Sequence, residues 1–365
     1  MRRFFIVYFV LIAWGPTALA ENKISRTDAS IARLGTLNPD ERALLAPHLR
    51  QGPVILTEFQ NRQTDLPAVI YAAYIDASAK TVADVIGKPA GYPQFMEALN
   101  AVDITAVNGQ MTAFDWHWGI TLFSLTGHNV MTSYPGDDER GYRFDIRTTG
   151  GDMGIGRVVW RIYPEGPKKS LIVFSSRLDM RDANYVTRQL SSQGNAVNRT
   201  VNVAVAMVTL LEIKVEAEKR AGTHDSRVYA TKPLRRPLIN MNALRGLLAR
   251  GDLVFMDIDG DTMQGVTVVG RSGASVDRVR RVMLDPEIFS KSMLHGTCAE
   301  VVERSAEGVR FKWEIPIPLL HVGGEMMLRP SSSVVAIDAI SGTLSKGKWR
   351  FDTCLLYTSP SPRDS

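Results

Sequence analysis

The chain has 365 residues, of which 22% are charged and 45% hydrophobic, with a formal net charge of +5 and two cysteines. The mildly basic balance is not gathered into a Lys/Arg stripe, which excludes a nucleic-acid-binding surface. So few cysteines exclude a disulfide framework, so the chain must be held by hydrophobic cores.

The N-terminus reads as an export signal. Arg2 and Arg3 are followed by an uncharged apolar run, Phe4 to Trp14, then by Gly15-Pro16 and the small-residue pattern Ala18-Leu19-Ala20. Cleavage after Ala20 is expected, with delivery to the periplasm or outside the cell. The apolar run is too short for a membrane span, which takes about 20 residues. No Cys follows it to carry a lipid anchor.

A short helix is expected at Pro39 to Leu49, leading into an extended segment, and a strand at Ala68 to Ile75. Two short helices come next, the second near Tyr92 to Leu99. Strands then run from Val102 to Val107, Met111 to Gly119, Val130 to Tyr134, Tyr142 to Thr148, Gly156 to Tyr163 and Ser170 to Leu178, separated by Gly, Pro, Asn and Asp turn residues. A long helix from Asn195 to Arg220 follows the helix-breaking Gly194.

Burial is legible in the spacing. Phe114, Trp116, Trp118 and Ile120 alternate with Asp115, His117 and Gly119, the signature of an antiparallel sheet covered on one face. On the long helix Val197, Val201, Ala204, Val208, Leu211 and Val215 recur at steps of three and four, one apolar stripe able to cover that face.

After a polar linker, Thr223 to Pro237, the pattern begins again. Trp118 to Leu125 and Trp313 to Leu320 share Trp, Ile and Leu at the same spacing, an offset of 195 (313 − 118). Pro89, Tyr92 and Met96 recur as Pro286, Phe289 and Met293. Ala43 to Leu56 resembles Ala243 to Phe255, and Trp160-Arg-Ile resembles Trp349-Arg-Phe. The second copy has helices at Asn242 to Ala249 and Pro286 to Ser292 and a strand at Gly265 to Gly270. Phe311, Trp313 and Ile315 alternate there with Arg310, Lys312 and Glu314.

Cys354-Leu-Leu-Tyr-Thr-Ser-Pro-Ser-Pro-Arg-Asp364 resembles translated sequencing-adapter DNA, so 354–365 is set aside as an artefact tail. Cys298 is then the remaining thiol, and without Arg2 and Arg3 the net charge falls from +5 to +3. The expected organisation is a signal peptide at 1–20, a first domain at 38–222, a linker at 223–237 and a second domain at 238–353. The second domain would stop before its last strand and long helix.

A strand, two short helices, a curved antiparallel sheet and a long C-terminal helix make up the helix-grip arrangement. Each copy resembles the START-like superfamily, which includes polyketide cyclases and coenzyme-Q-binding proteins. The residues that carry the resemblance are the first strand, the Pro-x-x-aromatic pairs Pro89/Tyr92 and Pro286/Phe289, and the Trp-led strands. It implies an α+β fold of two helix-grip domains, the second truncated. It also implies an apolar cavity between sheet and long helix for a lipid, quinone, sterol or polyketide-like molecule. The residues placed to line it are Phe114, Trp116, Trp118, Phe144, Trp160, Val197, Val201, Ala204, Val208 and Leu211, with Phe311, Trp313 and Ile315 in the second copy.

No catalytic set, metal-ligand spacing or cofactor fingerprint emerges. His117 and Asp115 lie on the polar strand face, His128 in a turn, and Gly150 to Gly156 reads as a hairpin loop. Asp257-Ile-Asp259-Gly-Asp261 lacks the closing Glu of a calcium loop, and Cys298 is expected to be a small buried residue. Three functions fit. One is an exported carrier of a hydrophobic small molecule or lipid, a cargo compatible with transient membrane contact. Another is an aromatase/cyclase-type enzyme, which needs a buried ionisable group that the pattern does not supply. The third is an interaction module whose pockets are filled by its own side chains. The Phe311, Trp313 and Ile315 face, lacking a long helix, is expected to be partly open, packed on the first copy, or prone to aggregation. Oligomeric state is left open.

Overall fold

The computed structural model describes residues 34–58, 68–120, 123–152, 154–179, 195–233, 239–291, 297–317, 320–331, 334–345 and 347–352. The expected signal segment and the tail at 354–365 lie outside them. The chain divides into two compact units, one of Glu21–Lys232 with Gly246–Gly270, the other taking in Pro233–Arg245 and Arg271–Ser365.

In the larger unit, helix α1 (Pro39–Leu49) starts at a reciprocal cap. Asn38 Oδ1 accepts from Glu41 N and Glu41 Oε2 accepts from Asn38 N, both at 2.9 Å, with Pro39 opening the helix. Strands β1 (Val54–Glu58) and β2 (Ala68–Ile75) are continuous apolar runs and are buried on both faces. Helix α2 (Ala79–Ile86) is capped by Ser78, whose hydroxyl accepts from Thr81 N. The expected second helix is only a 3-10 turn, Pro89–Gln94. Pro89 and Pro93 each lack an amide donor, and the chain is already extended by Leu99.

The meander follows as β3 (Leu99–Asn108), β4 (Met111–Ile120), β5 (Phe123–Asp137), β6 (Gly141–Gly151), β7 (Ile155–Pro164) and β8 (Ser170–Asp179), and then helix α3 (Asn195–Ala221). After it come α4 (Arg245–Arg250), β9 (Gly251–Asp259) and β10 (Thr262–Val269). All ten strands form one antiparallel sheet in the order β10-β9-β1-β2-β8-β7-β6-β5-β4-β3. One rung of its apolar face runs Tyr71, Phe174, Trp160, Phe144 across four strands. The hydroxyl of Tyr71 donates to the carbonyl of Val203, which ties α3 onto that face.

The sheet crosses the expected domain boundary: β9 and β10, assigned from sequence to the second copy, extend the larger sheet beyond β1. The two leader strands pair with each other in the register Val54↔Phe255, Ile55↔Val254, Leu56↔Leu253. By the repeat, Val54 corresponds to Leu253, Ile55 to Val254 and Leu56 to Phe255. Each copy therefore meets the other through the same positions, about a local two-fold at Ile55 and Val254, the pattern of an isologous contact. Arg250 clamps the junction, donating to Glu58 Oε1 at 2.8 Å, Glu41 Oε1 at 2.5 Å and the Thr36 carbonyl at 3.1 Å.

The smaller unit has helices α5 (Val276–Leu284) and α6 (Pro286–Lys291) and a five-stranded antiparallel sheet. Its strands, in order, are β11 (Cys298–Ser305), β12 (Gly308–Ile317), β13 (Leu320–Pro330), β14 (Val334–Gly342) and β15 (Lys348–Asp352). Counted from the hairpins, the repeat offset is not 195. Ile120 and Phe123 close one hairpin and Ile317 and Leu320 the other, an offset of 197 (317 − 120). Asn108↔Met111 and Ser305↔Gly308 give the same value. Phe114 thus matches Phe311, and Trp116, rather than Trp118, matches Trp313. A two-residue slip keeps every side chain on its face, so alternation alone cannot detect it.

Candidate functional site

The apolar face of the larger sheet holds the aromatic residues expected there, but in two states of burial. Phe114, Phe144 and Trp160 are buried among their neighbours. Trp160 lies 4.2 Å from the Phe174 ring, and Phe114 meets Tyr92 edge-on at 6.5 Å. Trp116 and Trp118 are only half-buried and meet each other edge-on at 6.3 Å. Trp116 can lie close on the sheet because residue 127 is glycine: a Cβ there would sit 2.2 Å from Trp116 Cζ2.

The long helix corrects the expected stripe. Its buried side chains are Val203, Ala206, Met207, Leu210, Ile213 and Ala217. Val208, Leu211 and Val215 are half-buried and lie on the other side of the helix. The side chains of Val197, Val201 and Ala204 lie outside the described ones. Apolar residues recur around most of this helix, so spacing could not choose the face; the Tyr71 contact to Val203 does.

A hydrogen bond links α3 to the stretch that leads into β3. Leu99 pairs with Trp118, Gly119 N donates to the Ala98 carbonyl at 2.9 Å, and Glu97 N donates to Glu212 Oε1 at 3.3 Å. Glu212, in the run Leu210-Leu211-Glu212-Ile213, is the group that sequence reasoning missed, although a carboxylate inside an apolar run was its signal. Burial pushes its carboxyl up to about 7, against the opposing pull of the Glu97 amide, and the Glu97 carboxylate adds to the rise.

Glu212 gives a signed pH prediction. Its folded pKa lies above its unfolded one, so its favourable contribution is complete below about pH 4.5 and is lost as pH rises through about 7. Glu212→Gln should match the wild type near pH 4 and exceed it by about 1–2 kcal/mol at pH 8, the full shift being discounted for partial solvation. Urea unfolding at both pH values checks this; parallel curves for the two proteins would contradict it.

Polar atoms interrupt the apolar faces sparingly. Asn129, cross-strand from Phe114, has its side-chain oxygen buried without a hydrogen-bond partner, and so does the Trp313 indole nitrogen in the smaller unit. Buried polar atoms are ordinarily satisfied, so each is available to a ligand. In the smaller unit Phe311, Trp313 and Ile315 are 4%, 8% and 2% exposed, so of the three expected outcomes the partly open face is not the one observed. Met283 of α5 joins their cluster, with Leu284 and Phe289 packed against it. Phe289 meets Phe351 edge-on at 6.2 Å.

The remaining candidates are structural. Asp115 pairs at 2.5 Å with His128, which lies on β5 and not in a turn, and His117 sits 4.0 Å from Asp103. Gly150 and Gly151 end β6 at a hairpin, and Gly260 turns β9 into β10 with φ +53°. Cys298 is exposed, not buried, because it opens an outer strand of its sheet. Among the described residues no group of three or more His, Cys, Asp or Glu could hold a metal, and no helix is long and apolar enough to cross a membrane.

No protein-family model and no curated protein matches the chain. Among solved structures it is similar to the Zhui aromatase/cyclase from Streptomyces sp. R1128, at 17% identity over 42% of this chain and 94% of that one, TM-score 0.36. It is similar to a STAR-related lipid transfer protein from Xanthomonas axonopodis at 9% identity, over 45% and 92%, TM-score 0.36. The di-domain ARO/CYC StfQ from the steffimycin biosynthetic pathway matches at 10% identity over 78% of each chain, TM-score 0.31.

Proposed function

We propose that the chain is an exported carrier of a hydrophobic small molecule, a lipid, quinone, sterol or polyketide-like compound, held between the sheet and α3 of the larger unit. The observation that carries this reading is the half-buried pair Trp116 and Trp118 on β4, on the same apolar face of the sheet that α3 meets through Tyr71 and Val203. A filled core leaves such residues buried, as it does Trp160; a pocket leaves them half-covered with few polar groups nearby. The export half of the proposal rests on the N-terminal pattern ending at Ala20.

The test starts from protein recovered after export, whose N-terminus should read Glu21-Asn22-Lys23. Titration with a fluorescent long-chain polyene fatty acid should saturate. Trp116→Ala and Trp118→Ala should each weaken binding at least tenfold while leaving the circular dichroism spectrum unchanged. Absence of binding, or equal binding in both variants, would favour the interaction-module reading.

A second reading has one observation behind it. Glu212, half-buried and with its carboxyl pushed up to about 7, is the kind of acid that an aromatase/cyclase-type reaction would use. Bound cargo recovered chemically unchanged from the wild type, after incubation at pH 7, would count against it.

A further inference from the structure

The face of the larger sheet opposite α3 carries a charge arrangement that the carrier reading does not use. Side chains alternate across a strand, so Arg143, Asp145 and Arg147 of β6 point away from the face of Phe144 and Ile146, and Arg157 and Arg161 of β7 point away from that of Trp160. The register sets Arg143 directly against Arg161 and Arg147 directly against Arg157. Two like-charged pairs on the same face of adjacent strands are destabilising unless an anion sits among them.

One anion is built in. Asp145 is buried and takes both Arg157 Nε, at 2.9 Å, and Arg157 Nη2; Arg143 Nη2 reaches it at 3.4 Å. Burial works to raise the Asp145 carboxyl, but these guanidinium groups hold it below its ordinary value. That carboxylate attracts Arg161 through space but forms no ion pair with it. Arg161 forms no ion pair among the described residues, its Nη1 is buried without a hydrogen-bond partner, and Arg143 Nε is likewise unsatisfied. Burial depresses the Arg161 pKa most, and Arg143 and Arg157 lower it further, against the opposing pulls of Tyr163 and Asp145. Aromatic rings hold the arginines in place: Arg143 lies over Tyr134 at 4.6 Å, and Arg42 of α1 lies over Tyr163, two residues on from Arg161, at 3.8 Å.

We propose that Arg143 and Arg161, opposed across β6 and β7 and flanked by Arg42, form a binding site for a phosphate-type oxyanion. The planar forks of two opposed guanidinium groups suit the tetrahedral oxygens of a phosphate ester, and a bound phosphate would supply the hydrogen-bond and ion-pair partner that Asp145 does not give Arg161. The same chemistry is offered by a free phosphoester and by the headgroup of an anionic phospholipid.

The experiment uses the whole chain in two arms. Inorganic phosphate is titrated by calorimetry, and co-sedimentation is measured with phosphatidylglycerol/phosphatidylcholine vesicles against phosphatidylcholine alone. Saturable binding of phosphate with no preference for the anionic vesicles assigns a free phosphoester. Preference for the anionic vesicles, competed by phosphate, assigns the headgroup. In whichever arm binds, Arg161→Gln and Arg143→Gln should each weaken binding about tenfold, and Arg161→Lys, which keeps the charge but loses the fork, by less. Arg161→Gln should melt no lower than the wild type, since it removes an uncompensated cation. No binding in either arm, or undiminished binding by Arg161→Gln in a folded protein, overturns the site.

Discussion

Val254→Pro should collapse the larger sheet, not merely loosen the start of the second copy. Val254 is buried and sits on β9 with Ile55 of β1 on one side and Val268 of β10 on the other. Neither edge of β9 is free, so proline there removes a ladder hydrogen bond and forces its ring into a paired strand, a cost of about 3 kcal/mol or more. The effect should reach β1, where amides of Val54 to Thr57 should lose hydrogen-exchange protection together with those of β9. If those amides stay protected while only residues beyond 271 are affected, the ten-stranded sheet is wrong and the boundary belongs in the linker.

Trp160→Ala should be the costliest of the tryptophan substitutions, about 3–5 kcal/mol, the usual range for emptying a buried aromatic site. Trp160 is 2% exposed and wedged between Phe144 and Phe174 on the rung that leads to Tyr71 and thence to α3. Trp116→Ala and Trp118→Ala remove half-buried rings and should cost about 1–2 kcal/mol less area-dependent stabilisation than a fully buried side chain provides. The contrast separates core from pocket: Trp160 should govern the unfolding midpoint, and Trp116 and Trp118 the affinity for an apolar ligand. Equal melting temperatures for the three alanine variants would contradict this division.

Alternation and spacing placed much of the meander but not β5, which runs Phe123–Asp137 and begins well before the expected Val130. Met111 to Gly119 differs from the observed β4 by one residue, and Asn195 to Arg220 differs from α3 by one. Phe114, Phe144 and Trp160 lie on the apolar face because a strand has only two faces and the charged residues mark the other. A helix is less decisive. In α3, where valine, alanine and leucine occur on most sides, the stripe through Val208 and Leu211 was as regular as the one through Val203 and Leu210. Glu212 escaped notice for the same reason: what raises its carboxyl is burial against the 97–99 junction, a contact 115 residues away in sequence.

The covering of the smaller sheet shows a similar limit. Met283, Leu284 and Phe289 belong to short helices whose composition gives no sign that they pack on Phe311 and Trp313. The arginine cluster is legible only in register: Arg143 and Arg161 are 18 residues apart, and nothing in their spacing says that they stand opposed.

What the sequence determined by itself is what depends on near neighbours: the reciprocal cap at Asn38 and Glu41, the hairpins, the two-residue period of each strand, and the existence of a repeat. What the tertiary structure decided is which surfaces were spent on one another. It joined the leader strands of the two copies about Ile55 and Val254, and so moved β9 and β10 into the larger sheet. It turned α3 to bury Val203 and Leu210, and left Val208 and Leu211 half-covered on the other side of the helix. The physical reason is that local preferences are set by sterics and hydrogen bonds within a few residues, whereas apolar burial is non-directional and takes whichever partner the whole chain brings within reach.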